Sequence, residues 1–323
     1  MKKQSTRQPV SSRELLALAT FATLTNSLAQ NSVNPLQTLE ETVVEASRDK
    51  PINPERLSSD KSTAPLLDTP QTVSVVTREV FNQQSARNLT DVLKNTPGIS
   101  FNAGENGFAS SQDNFSLRGT DASGSIFIDG IRDSGSVTRD VYNVEQVEIA
   151  KGAAADNGRG GSGGYVNLVT KTARAEDFFR GSTSYGYAPS GGDGLSRQTI
   201  DWNTMMGSGP LGDSAFRLNA LFQNGGIHGR EVAETNSWGI APSFTFGLGS
   251  DTEVSIAYQH HEIRNLPDWG VPGAFVKGTM NYDSAIGESN RNNFYGLASD
   301  YDDTTSDTLT AIIRHHFASG ATL

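Results

Sequence analysis

The chain has 323 residues, 19% charged and 35% hydrophobic, enough apolar material for folded domains rather than disorder throughout. Twenty-six basic against thirty-six acidic residues give a net charge of −10, which excludes nucleic acid as the expected partner, since a phosphate-reading surface needs clustered Lys and Arg. The lack of cysteine excludes disulfides, thiolate metal sites and cysteine nucleophiles, and leaves the redox compartment open.

At the N-terminus Lys2, Lys3 and Arg7 precede an apolar run over residues 15–24, and Ser27-Leu28-Ala29 closes it with a small-x-small site. That order predicts a secretory signal over residues 1–29, cut near Ala29. No later window holds about 20 consecutive apolar residues, so no transmembrane helix is predicted. Residues 30–64 are polar, contain Pro35, Pro51 and Pro54, lack a sustained period, and read as a linker. One β-prone island interrupts it, Glu41-Thr42-Val43-Val44-Glu45-Ala46. A strand isolated in a linker suits pairing with the sheet edge of a partner, although a chance valine pair fits as well.

Residues 65–173 have the texture of a small α+β domain. Thr72-Val73-Ser74-Val75-Val76 reads as a strand, followed by a helix around 78–84 and another near 89–94 that stops before Pro97-Gly98. Ile126-Phe127-Ile128 before Asp129-Gly130, then 144–149 and 165–170, read as strands joined by glycine-bearing turns.

Over residues 178–323 the pattern changes to long alternating segments at 196–206, 215–223, 238–246 and 252–260. Phe216, Leu218, Ala220 and Phe222 share one face; Arg217, Asn219, Leu221 and Gln223 share the other. Short turns at 207–212 and 247–251 alternate with longer stretches at 225–236 and 266–303, the asymmetry of outer-membrane barrels. A soluble sandwich shows the same alternation, so periodicity leaves both architectures open. The strands number roughly six, fewer than the 8 of the smallest single-chain barrels. An open edge is not tolerated in lipid, so a truncated chain is expected.

Several motifs lie in the family order of the plug of TonB-dependent siderophore receptors, and the chain resembles that family through them. They are Leu67-Asp68-Thr69-Pro70-Gln71-Thr72-Val73, Asp91-Val92-Leu93-Lys94-Asn95-Thr96-Pro97-Gly98-Ile99 and Phe115-Ser116-Leu117-Arg118-Gly119. Ile128-Asp129-Gly130-Ile131-Arg132-Asp133, Val144-Glu145-Gln146-Val147-Glu148-Ile149 and Asn157-Gly158-Arg159-Gly160 follow, the last running into Gly164-Tyr165-Val166-Asn167-Leu168-Val169-Thr170-Lys171. The Ile128–Asp133 motif, with Trp238-Gly239-Ile240-Ala241-Pro242 and Leu266-Pro267-Asp268-Trp269-Gly270, is similar to the catecholate branch. The implied fold is an α+β plug domain followed by the first strands of an antiparallel transmembrane β-barrel, truncated.

The resemblance also implies roles. Glu41, Thr42, Val43, Val44, Glu45 and Ala46 correspond to the coupling box gripped by the periplasmic energising protein TonB, with Glu45 where the family prefers an apolar or small residue. Arg118 and Arg159 correspond to plug arginines that pair with barrel glutamates and lock the plug, those glutamates being expected beyond residue 323. Ala153 replaces a usual proline and Asn157 a common tyrosine, which loosens that turn without changing the fold. The implied partners are TonB, outer-membrane lipid and a ferric siderophore, with uptake across the bacterial outer membrane as the function. Catecholate complexes are anionic and aromatic, so Phe108, Arg132 and Arg139 on outward plug loops are the candidate ligand contacts.

Other chemistry is weaker. Residues 158–164 are glycine-rich but lack the Gly-Lys-Ser/Thr ending of a phosphate loop. His260-His261 and His315-His316 are adjacent on strands and point to opposite faces, so no metal site is expected. No Ser-His-Asp order or carboxylate pair shares a scaffold, so neither an enzyme nor a cofactor is expected. A receptor for cobalamin or a carbohydrate, or an exported β-rich module without transport, remain the alternatives.

Overall fold

The computed structural model describes residues 52, 54, 56–59, 64–69, 71–101, 112–152, 163–187, 194–209, 212–268, 270, 274–276, 279–281 and 292–322. The expected signal segment, Glu41 through Ala46, Phe108 and Arg159 lie outside the described residues.

The first domain is built from β1 (Thr72–Thr77), α1 (Arg78–Gln83), α2 (Leu89–Leu93), β2 (Ile99–Phe101), β3 (Phe115–Leu117) and β4 (Thr120–Asp121). It continues through β5 (Ile126–Ile128), β6 (Ile131–Arg132), β7 (Val144–Lys151) and β8 (Gly164–Thr170). Asn88 starts α2 by accepting the Asp91 amide at 2.8 Å, and Gly98 turns the chain away with φ +80. The helices bury Phe81, Leu89, Val92 and Leu93 against Ile126, Val147, Ile149 and Val166 of the sheet. That sheet has the order β1-β7-β8-β5-β6; only the β5–β8 pair is parallel. Strands β2, β3 and β4 form a small separate sheet.

The Asp129-Gly130 pair makes the tight turn between β5 and β6, with φ +49 and +79. The Asp129 carboxylate accepts the Thr170 amide at 2.8 Å and its hydroxyl at 2.6 Å, and the Gly130 amide donates to Asn167 Oδ1 at 2.9 Å. The motif therefore pins a hairpin to β8.

The second part is a six-stranded antiparallel sheet of order β16-β13-β12-β11-β10-β9. Its strands are β9 (Phe178–Gly186), β10 (Leu195–Gly209), β11 (Gly212–Gly225), β12 (Glu234–Leu248), β13 (Thr252–Leu266) and β16 (Asp302–His315). A small hairpin, β14 (Ala274–Val276) with β15 (Thr279–Asn281), lies in the β13–β16 connection. The connections Gly209–Gly212 and Leu248–Thr252 are short; the others are long, as the sequence pattern predicts.

Burial separates the barrel from the sandwich. On β10 and β11 the covered side chains include Asp201, Asn203, Arg217, Asn219 and Gln223 beside Ala215 and Leu221, and on β12 and β13 they include Ser243, Thr245, Ser255 and His261 beside Ala241 and Ile263. Away from the strand ends the exposed ones are apolar or aromatic, among them Trp202, Phe222, Trp238, Phe244 and Ile256. Trp202, Phe216 and Phe244 form an outward row across three strands, with ring centroids 5.8 and 4.8 Å apart. A sandwich hides its apolar faces against each other. This sheet hides the polar face and offers the apolar one to its surroundings, which suits hydrocarbon and not water.

Phe244→Arg is expected to destabilise the protein folded in lipid bilayers by ~2–4 kcal/mol, the cost of a cation on a lipid face, while Phe244→Ile stays near wild type. Equilibrium unfolding in bilayers checks this; an indifferent Phe244→Arg variant would mean that the face is not lipid-covered.

Candidate functional site

The covered polar face of the sheet receives the first domain. At the centre is Arg217 of β11, 1% exposed. A guanidinium taken out of water needs its charge and its donors matched. Asp201 of β10 supplies a two-pronged match, at 2.7 Å to Nε and 2.8 Å to Nη2. From the first domain, Glu145 of β7 approaches Nη2 at 3.3 Å and the Thr172 carbonyl accepts from Nη1 at 3.0 Å. The Phe178 ring lies under Arg217, Arg174 and Arg180, 5.3, 5.0 and 4.4 Å from their guanidinium carbons.

Asp201 is shared with two cations of the first domain, Lys171 and Arg78, each 3.3 Å away. Lys171 just past β8 is buried, and Nζ also donates to the Tyr142 carbonyl at 2.7 Å and to Asn219 Oδ1 at 3.2 Å. Burial pulls its pKa from the ordinary 10.5 to about 8, against the upward pull of Asp201. A second clasp joins Arg197 of β10 to Asp140 through two bonds of 2.7 and 2.8 Å.

Between the clasps, Tyr142 packs on Leu221 and Ala241 of the sheet and donates its hydroxyl to the His260 carbonyl at 3.2 Å. This approach requires Gly239, since a Cβ there would stand 2.7 Å from the Tyr142 oxygen. Asn143 completes the contact by donating to Gln259 Oε1 at 2.9 Å. The arrangement holds a folded domain against a membrane-type wall through charges that are costly to separate one at a time.

Residues 65–165 match the family described as TonB-dependent Receptor Plug Domain. Over 306 residues, 91% of this chain, the sequence is 38% identical to the catecholate siderophore receptor Fiu of Escherichia coli O157:H7, of which it covers 38%. This chain belongs to the TonB-dependent receptors. Its plug is the first domain, and the six-stranded sheet is barrel wall. The probable TonB-dependent siderophore receptor PiuA of Acinetobacter baumannii is 36% identical over 250 residues, which are 77% of this chain and 32% of PiuA. Among solved structures, the open form of the ferric-catecholate import receptor Fiu from Escherichia coli K12 superimposes with a TM-score of 0.72 at 37% identity, over 83% of this chain and 40% of that one. The chain thus spans between about a third and two fifths of the length of these relatives.

The structure sorts the expected site residues of this receptor chain. Arg118 stands in a left-handed turn at φ +50, exposed and beside Gly152, and makes no ion pair among the described residues. Among the described residues the clasp to the wall runs both ways: Arg197 and Arg217 of the wall take plug carboxylates, and Arg78 and Lys171 of the plug take Asp201 of the wall. Arg132 is exposed, its guanidinium 5.8 Å from the centre of the Phe127 ring. Arg139 is buried in the plug rather than aimed at a ligand. Its fork pairs with Asp113 at 3.1 Å and Asp133 at 2.7 Å and donates to the carbonyls of Val137 at 3.1 Å and Gly135 at 2.7 Å. With those donors taken, Arg139 holds the loop that carries it. Arg217, Lys171 and Tyr142 are not singled out as site residues by any motif in the sequence. The usable signal is Arg217 on a polar face that lies opposite an aromatic one.

Lys171 makes docking pH-dependent with a definite sign. Released, it binds a proton up to its ordinary 10.5; docked, only to about 8, so in that window the docked plug holds fewer protons and docking strengthens as pH rises. In the full-length receptor, thermal stability from pH 8 to 10.5 is expected to fall less, or rise more, in wild type than in Lys171→Met. Equal pH slopes for the two proteins would contradict the assignment.

Proposed function

We propose that this chain is part of an outer-membrane receptor for TonB-driven uptake of a ferric siderophore of the catecholate class. The observation that carries the reading is a family plug clasped by buried charge pairs to an inside-out wall. Its Escherichia coli relative is named as a catecholate siderophore receptor, and its Acinetobacter relative as a probable siderophore receptor. Exported by a signal cut near Ala29, the receptor inserts its wall in the outer membrane, and the plug closes the lumen.

Ligand binding at the outer side does not by itself open such a clasp, because each charge pulled from its partner is left uncompensated in a low dielectric. Mechanical work is needed, and strand addition supplies the grip. Glu41-Thr42-Val43-Val44-Glu45-Ala46 is the segment for that pairing, ahead of the plug and joined to it by the linker. Arg159 is assigned with Arg118 to further locking contacts. On the ligand side, Arg132 over Phe127 combines a cation with a ring, the pairing that suits an anionic aromatic complex. Phe108 remains assigned to the same outward surface, whereas the saturated fork of Arg139 gives it the task of holding the neighbouring loop.

Deleting residues 42–46 from the full-length receptor is expected to leave ferric catecholate binding intact and to abolish iron accumulation by iron-limited cells. Normal accumulation by the deletion variant would remove the coupling assignment. Accumulation of cobalamin or a carbohydrate, with no uptake of ferric catecholates, would replace the substrate assignment.

A further inference from the structure

The plug is not held equally all round the described wall. Its clasps fall on β10 and β11 through Asp201, Arg197 and Arg217, and Tyr142 seats on β11 and β12. The last bonds in this direction, among the described residues, are Asn143 to Gln259 and Tyr142 to the His260 carbonyl, both on β13. Beyond them a cleft separates the plug from the inward side chains of β13 and β16, where Ser306, Thr308 and Thr310 form one bank and Asp133, Thr138 and Thr170 part of the other.

Two features mark the cleft as more than loose packing. The hydroxyls of Ser306, Thr308 and Thr310 make no hydrogen bond among the described residues, although each residue is half-buried. His261 Nε2 and Asn143 Oδ1, on residues that line the cleft, are buried without a hydrogen-bond partner. Native proteins leave few such atoms dry, so the cleft is a place for water or for a polar solute. Its interior volume is about 80 Å³. That holds a few waters but is far below the roughly 300–1,000 Å³ of a small-molecule pocket, so nothing of siderophore size resides there while the plug is docked.

We propose that this cleft is the seam along which the plug parts from the wall, so that an oxygen-rich ligand crosses over Ser306, Thr308 and Thr310 while the plug stays hinged on β10 to β12. Among the described residues, parting here breaks the neutral Asn143–Gln259 and Tyr142–His260 bonds, whereas parting on the other side separates buried ion pairs. Hydroxyls along the seam exchange hydrogen bonds with a passing polar ligand without holding it by charge. Among the described strands, direction of opening thus follows from the unequal strength of the two sectors.

The inference rests on the proposed transport function, and the test keeps the two apart. In the full-length receptor, Thr308→Cys and Ser306→Cys are placed on the seam and Ser243→Cys on the clasped sector, where Ser243 is buried on β12. Labelling by a small membrane-impermeant maleimide is read in cells with and without the proton-motive force, while wild-type iron accumulation from a ferric catecholate is measured alongside. Energisation is expected to speed labelling at the seam by about tenfold and to leave Ser243→Cys unreactive, as local opening confined to one sector requires. Labelled Thr308→Cys cells should then lose uptake but retain ligand binding. Unchanged seam labelling, or a rise at Ser243→Cys, overturns the seam whatever the wild type transports. Absence of wild-type accumulation overturns the substrate assignment and leaves the labelling comparison to judge the seam.

Discussion

Arg217 sits 1% exposed between a wall carboxylate and a plug carboxylate, and its burial sets the terms for everything near it. A charge so placed is tolerated only while its partners remain, since breaking a buried pair from one side costs about 3–5 kcal/mol. Asp201 fixes it within the wall; Glu145 and the Thr172 carbonyl reach it only from the docked plug. Asp201 in turn gathers Lys171 and Arg78 from the plug. The ion cluster does not make the fold strong in itself, because desolvation offsets much of the Coulomb gain. What it does is make the docked position singular: a shift of the plug leaves several charges unmatched together.

The rest of the wall is consistent with that constraint. Polar side chains line its covered face because the plug needs them, and aromatic side chains cover the other because hydrocarbon does. Small residues appear where the plug comes closest: Gly239 and Ala241 leave room for Tyr142, whose own carbonyl accepts from Lys171. Packing and charge therefore meet at one corner of the plug, and the described hydrogen bonds from the plug to β13 are the neutral ones of Tyr142 and Asn143.

Local pattern made much of this legible. The helix near Leu89 follows from its Asn88 cap and the Pro97-Gly98 stop, and the wall strands follow from their period of two. Alternation states that the two faces of a strand differ, but not which face is wet, so periodicity alone leaves barrel and sandwich level; the plug motifs favour the barrel, and burial agrees. Long-range pairing was out of reach for a related reason. Arg217 and Glu145 are separated by 72 positions, and Arg139 and Asp113 by 26, with nothing local to announce either bond. The glycine and serine loop before Arg139 points it outward; Asp133, six positions back, and Asp113, 26 positions back, draw it inside. Arg118 carried a family motif whose partner falls among no described residue.

Coupling between Arg217 and Glu145 in the full-length receptor tests the central claim most directly. A double-mutant cycle with Arg217→Met and Glu145→Gln, read from hydrogen exchange of the β7 and β8 amides, gives the free energy linking plug to wall. Each single change is expected to loosen the plug by about 3–5 kcal/mol, and the pair together by much less than the sum, because removing both charges leaves neither stranded. Additive losses, or exchange that ignores both substitutions, would show that the plug is not held by this cluster.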